Sequence, residues 1–330
     1  MNFQTVLDEI DAEIRPLLGA AGTVASYIPA LARVPAERFG IALRTHDGEE
    51  ACAGDAREPF SIQSVSKLFT LTLAMRCLGD RLWERIGREP SGNPFNSLVQ
   101  LEFEAGRPRN PFINAGALAV ADRLVTQARA GACEGDGDRP GGGPRDARDD
   151  ILALMSDLAG EAVAFDAEVA ASEAATGFRN VALVNFMKSF GKIDNDVADV
   201  LDMYFHQCAI RMSCAQLARA AGFLCRDGIH PLSGERADGG GTDAEAVVTD
   251  CQARRINALM LTCGTYDAAG DVAFSIGLPC KSGVGGGIVA VVPDRLTLCV
   301  WSPALDAAGN SLLGLKALEL FVGKTGLSVF

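Results

Sequence analysis

The feature that most constrains this chain is where its strand-forming segments fall. Residues 39–52 alternate around His46-Asp47-Gly48, an Asp-Gly turn signal, and predict an antiparallel hairpin. Comparable patterns reappear only near the other end. Residues 271–278 read as one strand, and 287–292 with 296–301 read as a second hairpin turning at Pro293-Asp294. The middle carries helical spacing instead. Leu68, Leu71, Met75 and Leu78 mark a helix over 61–78, and 115–130, 149–160, 166–190, 194–211 and 213–227 lack strand alternation. Val6, Ile10 and Ile14 give an amphipathic helix at the start, and 309–322 reads as a helix at the end. Strands at both ends can bury their apolar faces most simply by joining in one antiparallel sheet. The fold class predicted is therefore α/β in the α+β sense. An antiparallel sheet lobe, about 20–65 and 255–330, is flanked by the terminal helices, and a helical lobe covers about 66–254. All of 1–330 is expected to form one unit, with two Gly-rich segments, 131–149 and 233–245, expected as exposed loops.

Composition removes several function classes. Hydrophobic residues make up 48% of the 330, which supports a packed core and excludes disorder over most of the length. The net charge of −12, with no basic stripe, argues against nucleic acid and anionic membrane surfaces as partners. No apolar run approaches the roughly 20 residues of a membrane helix. Asp8, Glu9, Asp11 and Glu13 make the first segment unlike a secretory leader, so a cytoplasmic location is expected. Ten cysteines without a C-x-x-C pair read as reduced core residues. His46, His206 and His230 are scattered, so neither a metal nor another cofactor is expected.

Nucleotide motifs fail on inspection. Gly283-Val284-Gly285-Gly286-Gly287 has Ile288 where G-x-G-x-x-G needs glycine, and Gly323-Lys324-Thr325 has Leu318 where a P-loop begins with glycine. A lysine-activated serine fits better. Ser64-Val65-Ser66-Lys67 is an S-x-x-K at a helix start, where i, i+3 spacing puts both side chains on one face. Unpaired N–H groups at the helix N-terminus favour a developing oxyanion. The lysine must be buried to serve as a base near neutral pH. Ser189 and Lys192 repeat the spacing at a helix end beside Gly191, a geometry that does not serve catalysis. Lys281-Ser282-Gly283, late in the chain, supplies the K-[ST]-G triplet that accompanies S-x-x-K in serine β-lactamases and penicillin-binding proteins. Its glycines would let the strand backbone approach the substrate.

Longer stretches carry a closer resemblance. Phe60-Ser61-Ile62-Gln63-Ser64-Val65-Ser66-Lys67, Asn110-Pro111-Phe112-Ile113-Asn114-Ala115-Gly116-Ala117 and Gly277-Leu278-Pro279-Cys280-Lys281-Ser282-Gly283-Val284-Gly285-Gly286-Gly287 resemble the serine-dependent glutaminases. Glu89-Pro90-Ser91-Gly92 and Cys263-Gly264-Thr265-Tyr266-Asp267 extend the likeness, which runs from about Tyr27 to Pro303. It implies a β-lactamase/transpeptidase-like fold and hydrolysis of L-glutamine to L-glutamate and ammonia. By the same resemblance Ser64 is the nucleophile, Lys67 its base, and Tyr27 and Tyr266 the tyrosines near the serine. The N–H groups of Ser64 and Val284 form the oxyanion hole. Asn114, Glu173, Asn180 and Tyr204 hold the substrate with Ser64, Tyr266 and Val284. The family's habit implies a homodimer or homotetramer. Cys280 stands where a small residue such as alanine is usual, and is expected to be an oxidation-sensitive thiol near the site. Two other readings stay open from sequence: an acyl-serine protein that recognises β-lactams, and a silent amino-acid sensor.

Overall fold

A computed structural model of the chain describes residues 1–20, 22–92, 97–131, 145–233 and 245–330, so most of each Gly-rich segment lies outside the described residues. In chain order the strands are β1 Gly40–Thr45, β2 Glu50–Gly54, β3 Phe60–Ser61, β4 Ala164–Phe165, β5 Ile210–Met212, β6 Cys280–Ser282, β7 Gly287–Val292 and β8 Leu296–Trp301. Five of them form one sheet in the order β2-β1-β8-β7-β6, with every pair antiparallel. The two ends of the chain meet at β1 and β8, where Gly40 pairs Trp301 and Thr45 pairs Leu296.

Period-two alternation assigns the faces of this sheet. Ile41, Leu43, Ile288, Leu298 and Val300 point to a core closed by Leu7, Ile10 and Ile14 of the helix Phe3–Ile14 and by Ala317, Leu318 and Phe321 of the helix Leu312–Thr325. Their neighbours Ala42, Val289, Val291, Cys299 and Trp301 face the opposite way, into the larger core shared with the middle helices. At the centre of that core runs the helix Ser66–Leu78. Its residues from Ser66 through Met75 are all buried, so its polar groups need internal partners. Thr72 Oγ1 returns to the carbonyl of Leu68 at 2.8 Å, and Gly79, at φ +54°, ends the helix. Helices packed on both faces of one antiparallel sheet match the fold class expected from the sequence.

Three local expectations fail. Residues 271–278 do not form a strand: Ala269–Ser275 is a helix, and Val272 and Ile276, four apart, turn inward while Phe274 lies 94% exposed. One long helix over 166–190 becomes two, Ala167–Thr176 and Phe178–Ser189. They part at Gly177, where a Cβ would come within 2.6 Å of the Phe205 ring. The helix expected over 194–211 stops at Cys208, and Ile210–Met212 becomes the central strand of a three-stranded sheet, β3-β5-β4. Among the described residues eight cysteines are free thiols, but Cys77 is disulfide-bonded, so the expectation of reduced thiols throughout does not hold.

Candidate active site

The site is built where the central helix begins. Strand β3 pairs with β5 and delivers the chain into a short 3-10 turn, Gln63–Val65, which leads straight into Ser66–Leu78. Gln63 takes φ +50°, a conformation costly for a residue with a side chain, and this bend places Ser64 at the helix entrance. The end of β6 lies against the same turn. A Cβ on Gly283 would come within 2.5 Å of the Ile62 carbonyl oxygen and 3.2 Å of the Ser64 nitrogen. The glycine there allows close contact with the backbone of Ser64. The loop is braced from behind, where Trp301 Nε1 donates to Gly285 O at 3.0 Å and stacks on Phe60 with centroids 4.9 Å apart.

A cleft of about 640 Å³ opens over this turn. Seven of the nine residues singled out in the sequence line it: Tyr27, Ser64, Asn114, Glu173, Asn180, Tyr204 and Val284. The other two stand just behind the lining. Tyr266, at φ +55°, is hydrogen-bonded to the Ser64 side chain and to the backbone of Val284, and its hydroxyl donates to Ser282 O at 3.3 Å. Lys67 is buried with 1% exposure, and its Nζ donates to Asn114 Oδ1 at 2.8 Å and to Phe112 O at 3.2 Å. Asn114 in turn donates through Nδ2 to Asn180 Oδ1 at 3.0 Å, so the amine and two amides form one chain of hydrogen bonds. Tyr27 sits at the mouth, 60% exposed.

Burial dominates the electrostatics. It pulls the Lys67 amine down from an ordinary 10.5 to about 8, because a cation there has lost its water. The same cause raises the Glu173 carboxyl to about 7, against the opposing hydrogen bond from Gln63 and the nearby Lys67. Tyr204 and Tyr266 are both pushed up by burial and remain neutral phenols. Cys280 is 1% exposed and burial drives its thiol up to about 12, so it is an inert core residue and not the reactive thiol expected.

Gln63 is a site residue that the sequence reading passed over. Its side chain reaches both Glu173 and, through Nε2, Ser61 Oγ at 3.1 Å, and it lines the cleft. The available signal was its place directly before Ser64. Among the described residues, no group of three or more His, Cys, Asp and Glu side chains could hold a metal ion, and no helix is long and apolar enough to cross a membrane.

Comparison with known proteins places this cleft in context. The family model Glutaminase matches residues 22–330. A glutaminase of Methylorubrum extorquens is 52% identical over 330 residues, covering all of this chain and 99% of its own. One of Methylorubrum populi is 55% identical over 310 residues, 94% of this chain and 93% of its own. Among solved structures, a probable glutaminase from Bacillus subtilis complexed with 6-diazo-5-oxo-L-norleucine superposes with a TM-score of 0.83 at 31% identity, over all of this chain and 97% of that one. The probable glutaminase ybaS gives 0.85 at 34% identity over 99% and 97%.

Proposed function

The chain belongs to the glutaminase family, and from that premise we propose that it hydrolyses the side-chain amide of L-glutamine to L-glutamate and ammonia through an acyl-enzyme on Ser64. The observation that carries the reading is the pairing, in one cleft, of a helix-entrance serine with a buried carboxylate, Glu173, whose carboxyl burial pushes up to about 7. A free α-amino acid brings its own ammonium, which pairs with Glu173 and ionises it on binding. Tyr204 and the amide nitrogen of Asn180 donate to the substrate carboxylate, with Asn114 holding Asn180 in place. The two ends of the substrate are thereby fixed, and its side-chain amide lies over Ser64. The B. subtilis relative's ligand, itself an α-amino acid by name, supports this class of substrate.

Chemistry then follows from Lys67. In the neutral amine both N–H bonds are taken by the acceptors Phe112 O and Asn114 Oδ1, which leaves the lone pair for the Ser64 proton. As that proton moves, the Ser64 oxygen bonds to the amide carbon. The carbonyl oxygen becomes an oxyanion held by the N–H groups of Ser64 and Val284, which the Gly283 contact keeps together. The C–N bond breaks, the nitrogen takes a proton relayed by Lys67 with Tyr266 and leaves as ammonia, and Ser64 carries a γ-glutamyl ester. Water, deprotonated by the same amine, adds to the ester and releases glutamate. Tyr27 closes over the mouth as a further hydroxyl near the serine. No metal or organic cofactor takes part. Purified protein is expected to release one ammonia per glutamate formed, and Ser64→Ala to abolish release while still binding L-glutamate. Full turnover by the Ser64→Ala protein would refute the assignment.

The same reading places the enzyme in the cytoplasm as a single catalytic unit and a homodimer or homotetramer. Exposed Phe103, Phe274 and Phe330 supply apolar surface for contacts between copies.

A further inference from the structure

A second cavity, of about 420 Å³, backs onto the site through Tyr266 and Phe112. Both stand behind the lining of the substrate cleft and form part of the wall here. Pro90, Ile113, Leu261 and Ala273 add apolar surface. The neutral polar groups of the wall are engaged with the protein. Asn110 Oδ1 accepts from the N–H groups of Phe112 and Ile113, each at 3.0 Å, and its Nδ2 donates to Glu89 O at 2.9 Å. Thr262 Oγ1 donates to Ala258 O at 3.0 Å and meets Cys263 Sγ at 3.3 Å. The charge around the cavity is negative. Asp267 lines it, and among the described residues no partner offsets the burial that raises its carboxyl. Burial also raises the Cys263 thiol in this wall, against the hydrogen bond from Thr262, and the charge of nearby Glu89 adds to the rise.

We propose that this cavity binds a small organic ammonium ion with an apolar body, and that its occupant lowers turnover by displacing Tyr266 and Phe112. The body follows from the apolar walls and the two aromatic residues, which suit an organic cation. The charge follows from the acidic groups, since the other polar atoms of the wall have spent their hydrogen bonds on the protein. The effect follows from the shared wall. Tyr266 is hydrogen-bonded to the Ser64 side chain, and it holds φ +55°, a conformation that lasts only while its surroundings enforce it. Phe112 supplies the carbonyl that accepts from Lys67 Nζ at 3.2 Å. A body pressed against these two residues therefore shifts the tyrosine at the nucleophile and the seat of the base. Glu173, Asn180 and Tyr204, which grip the amino acid, line the other cleft, so the hold on glutamine is left unchanged.

The kinetic half of this inference rests on the glutaminase reading, which ammonia release by wild type and Ser64→Ala tests first. The binding half is measured without turnover. Benzylammonium is the probe and benzyl alcohol its uncharged counterpart. Each is titrated by calorimetry into wild type saturated with L-glutamate, which keeps the substrate cleft filled. Benzylammonium is expected to bind saturably, one per chain, and benzyl alcohol about tenfold more weakly. Misplacing reacting groups by about 1 Å costs roughly 100-fold in rate, so saturating probe is expected to lower kcat about 10-fold to 100-fold. KM for glutamine should stay within about twofold, the pattern of a loss confined to the reacting groups. Asp267→Asn, at an exposed position, should weaken the probe by about fivefold. Ala273→Trp, which fills the cavity from the helix Ala269–Ser275, should abolish the response. The proposal is overturned by the absence of saturable binding when the cleft is full, or by inhibition that raises KM alone, which would put the probe in the cleft. Equal binding of benzyl alcohol, an unchanged affinity in Asp267→Asn, or a kcat that binding leaves within about twofold overturns it as well.

Discussion

Glu173 offers the sharpest test, because its burial ties stability and substrate binding to one carboxyl. Its pKa stands at about 7 in the folded protein against an ordinary 4.5. The folded state therefore binds more protons than the unfolded state between those values, and stability falls as pH rises from about 4.5 through 7. Above 7 the whole penalty is present. At 1.36 kcal/mol per pH interval it comes to about 3 kcal/mol. Glu173→Gln has nearly the same shape, keeps a hydrogen-bonding group toward Gln63 and never charges. It is expected to be more stable than wild type by up to about 3 kcal/mol at pH 8 and by only about 1 kcal/mol near pH 5. With roughly 2.1 cal/mol/K of unfolding entropy per residue, that difference raises Tm by about 4–5 °C for a chain of this length.

Activity should move in the opposite direction. The substrate ammonium loses its carboxylate partner inside a dry cleft, a change worth about 2–5 kcal/mol, or roughly 30-fold to several thousand-fold in kcat/KM. The experiment is a pair of thermal melts of both proteins from pH 5 to 8.5, without ligand and with saturating L-glutamate, beside steady-state kinetics. Ligand should stabilise wild type strongly and the variant weakly. A Tm difference that does not change with pH would show that Glu173 is not held as a buried acid. A kcat/KM within threefold of wild type would show that it does not meet the ammonium.

Two further outcomes follow from the same geometry. The rate should rise with pH across an acid limb set by Lys67 and Glu173 together: with the amine at about 8, roughly a tenth is neutral at pH 7, against well under a thousandth at an ordinary 10.5. A kcat/KM that is flat from pH 6 to 9 would remove Lys67 from the role of base. Gly283→Ala should lower kcat about 100-fold or more and cost about 1–3 kcal/mol of stability, because its Cβ would meet backbone that cannot swing aside. Wild-type turnover in that variant would show that the Ser64 and Val284 N–H groups need no such contact.

Much of the frame was legible because it rests on periodicity. The hairpins β1-β2 and β7-β8 and the helix through Leu68, Leu71 and Met75 follow directly from side-chain spacing, as does the joining of the two chain ends in one sheet. What misled was local pattern with more than one solution. Val272, Phe274, Ile276 and Leu278 alternate as a strand would, yet the helix Ala269–Ser275 buries Val272, leaves Phe274 outside, and is followed by the buried Ile276 and Leu278. Gly177 reads as a tolerable helix residue until the Phe205 ring occupies the place of its Cβ. The cleft itself was found through resemblance more than through spacing. Glu173, Asn180 and Tyr204 come from three separate helices, and nothing in their local sequence distinguishes them from a solvated face, a cap and a core aromatic.

That contrast has a physical basis. Local rules describe residues that satisfy their own preferences, and the groups around Ser64 do not. Gln63 and Tyr266 both hold positive φ, a cost of about 1–3 kcal/mol each. Lys67, Lys281 and Glu173 are ionisable groups in dry surroundings, where burial opposes their charged forms. These costs fall within one small region, and the sheet and the two cores around it must supply the stability that offsets them. In the proposed reaction, that opposition is also what makes the region reactive. An amine that cannot easily hold a proton takes one only as the serine gives it up. A carboxyl that cannot easily ionise does so when a substrate ammonium arrives. Gln63 bends the chain so that Ser64 meets the Val284 loop at the one distance a glycine permits. A chain relaxed at all of these positions would be more stable and would have no reason to bind an amino acid or to attack it.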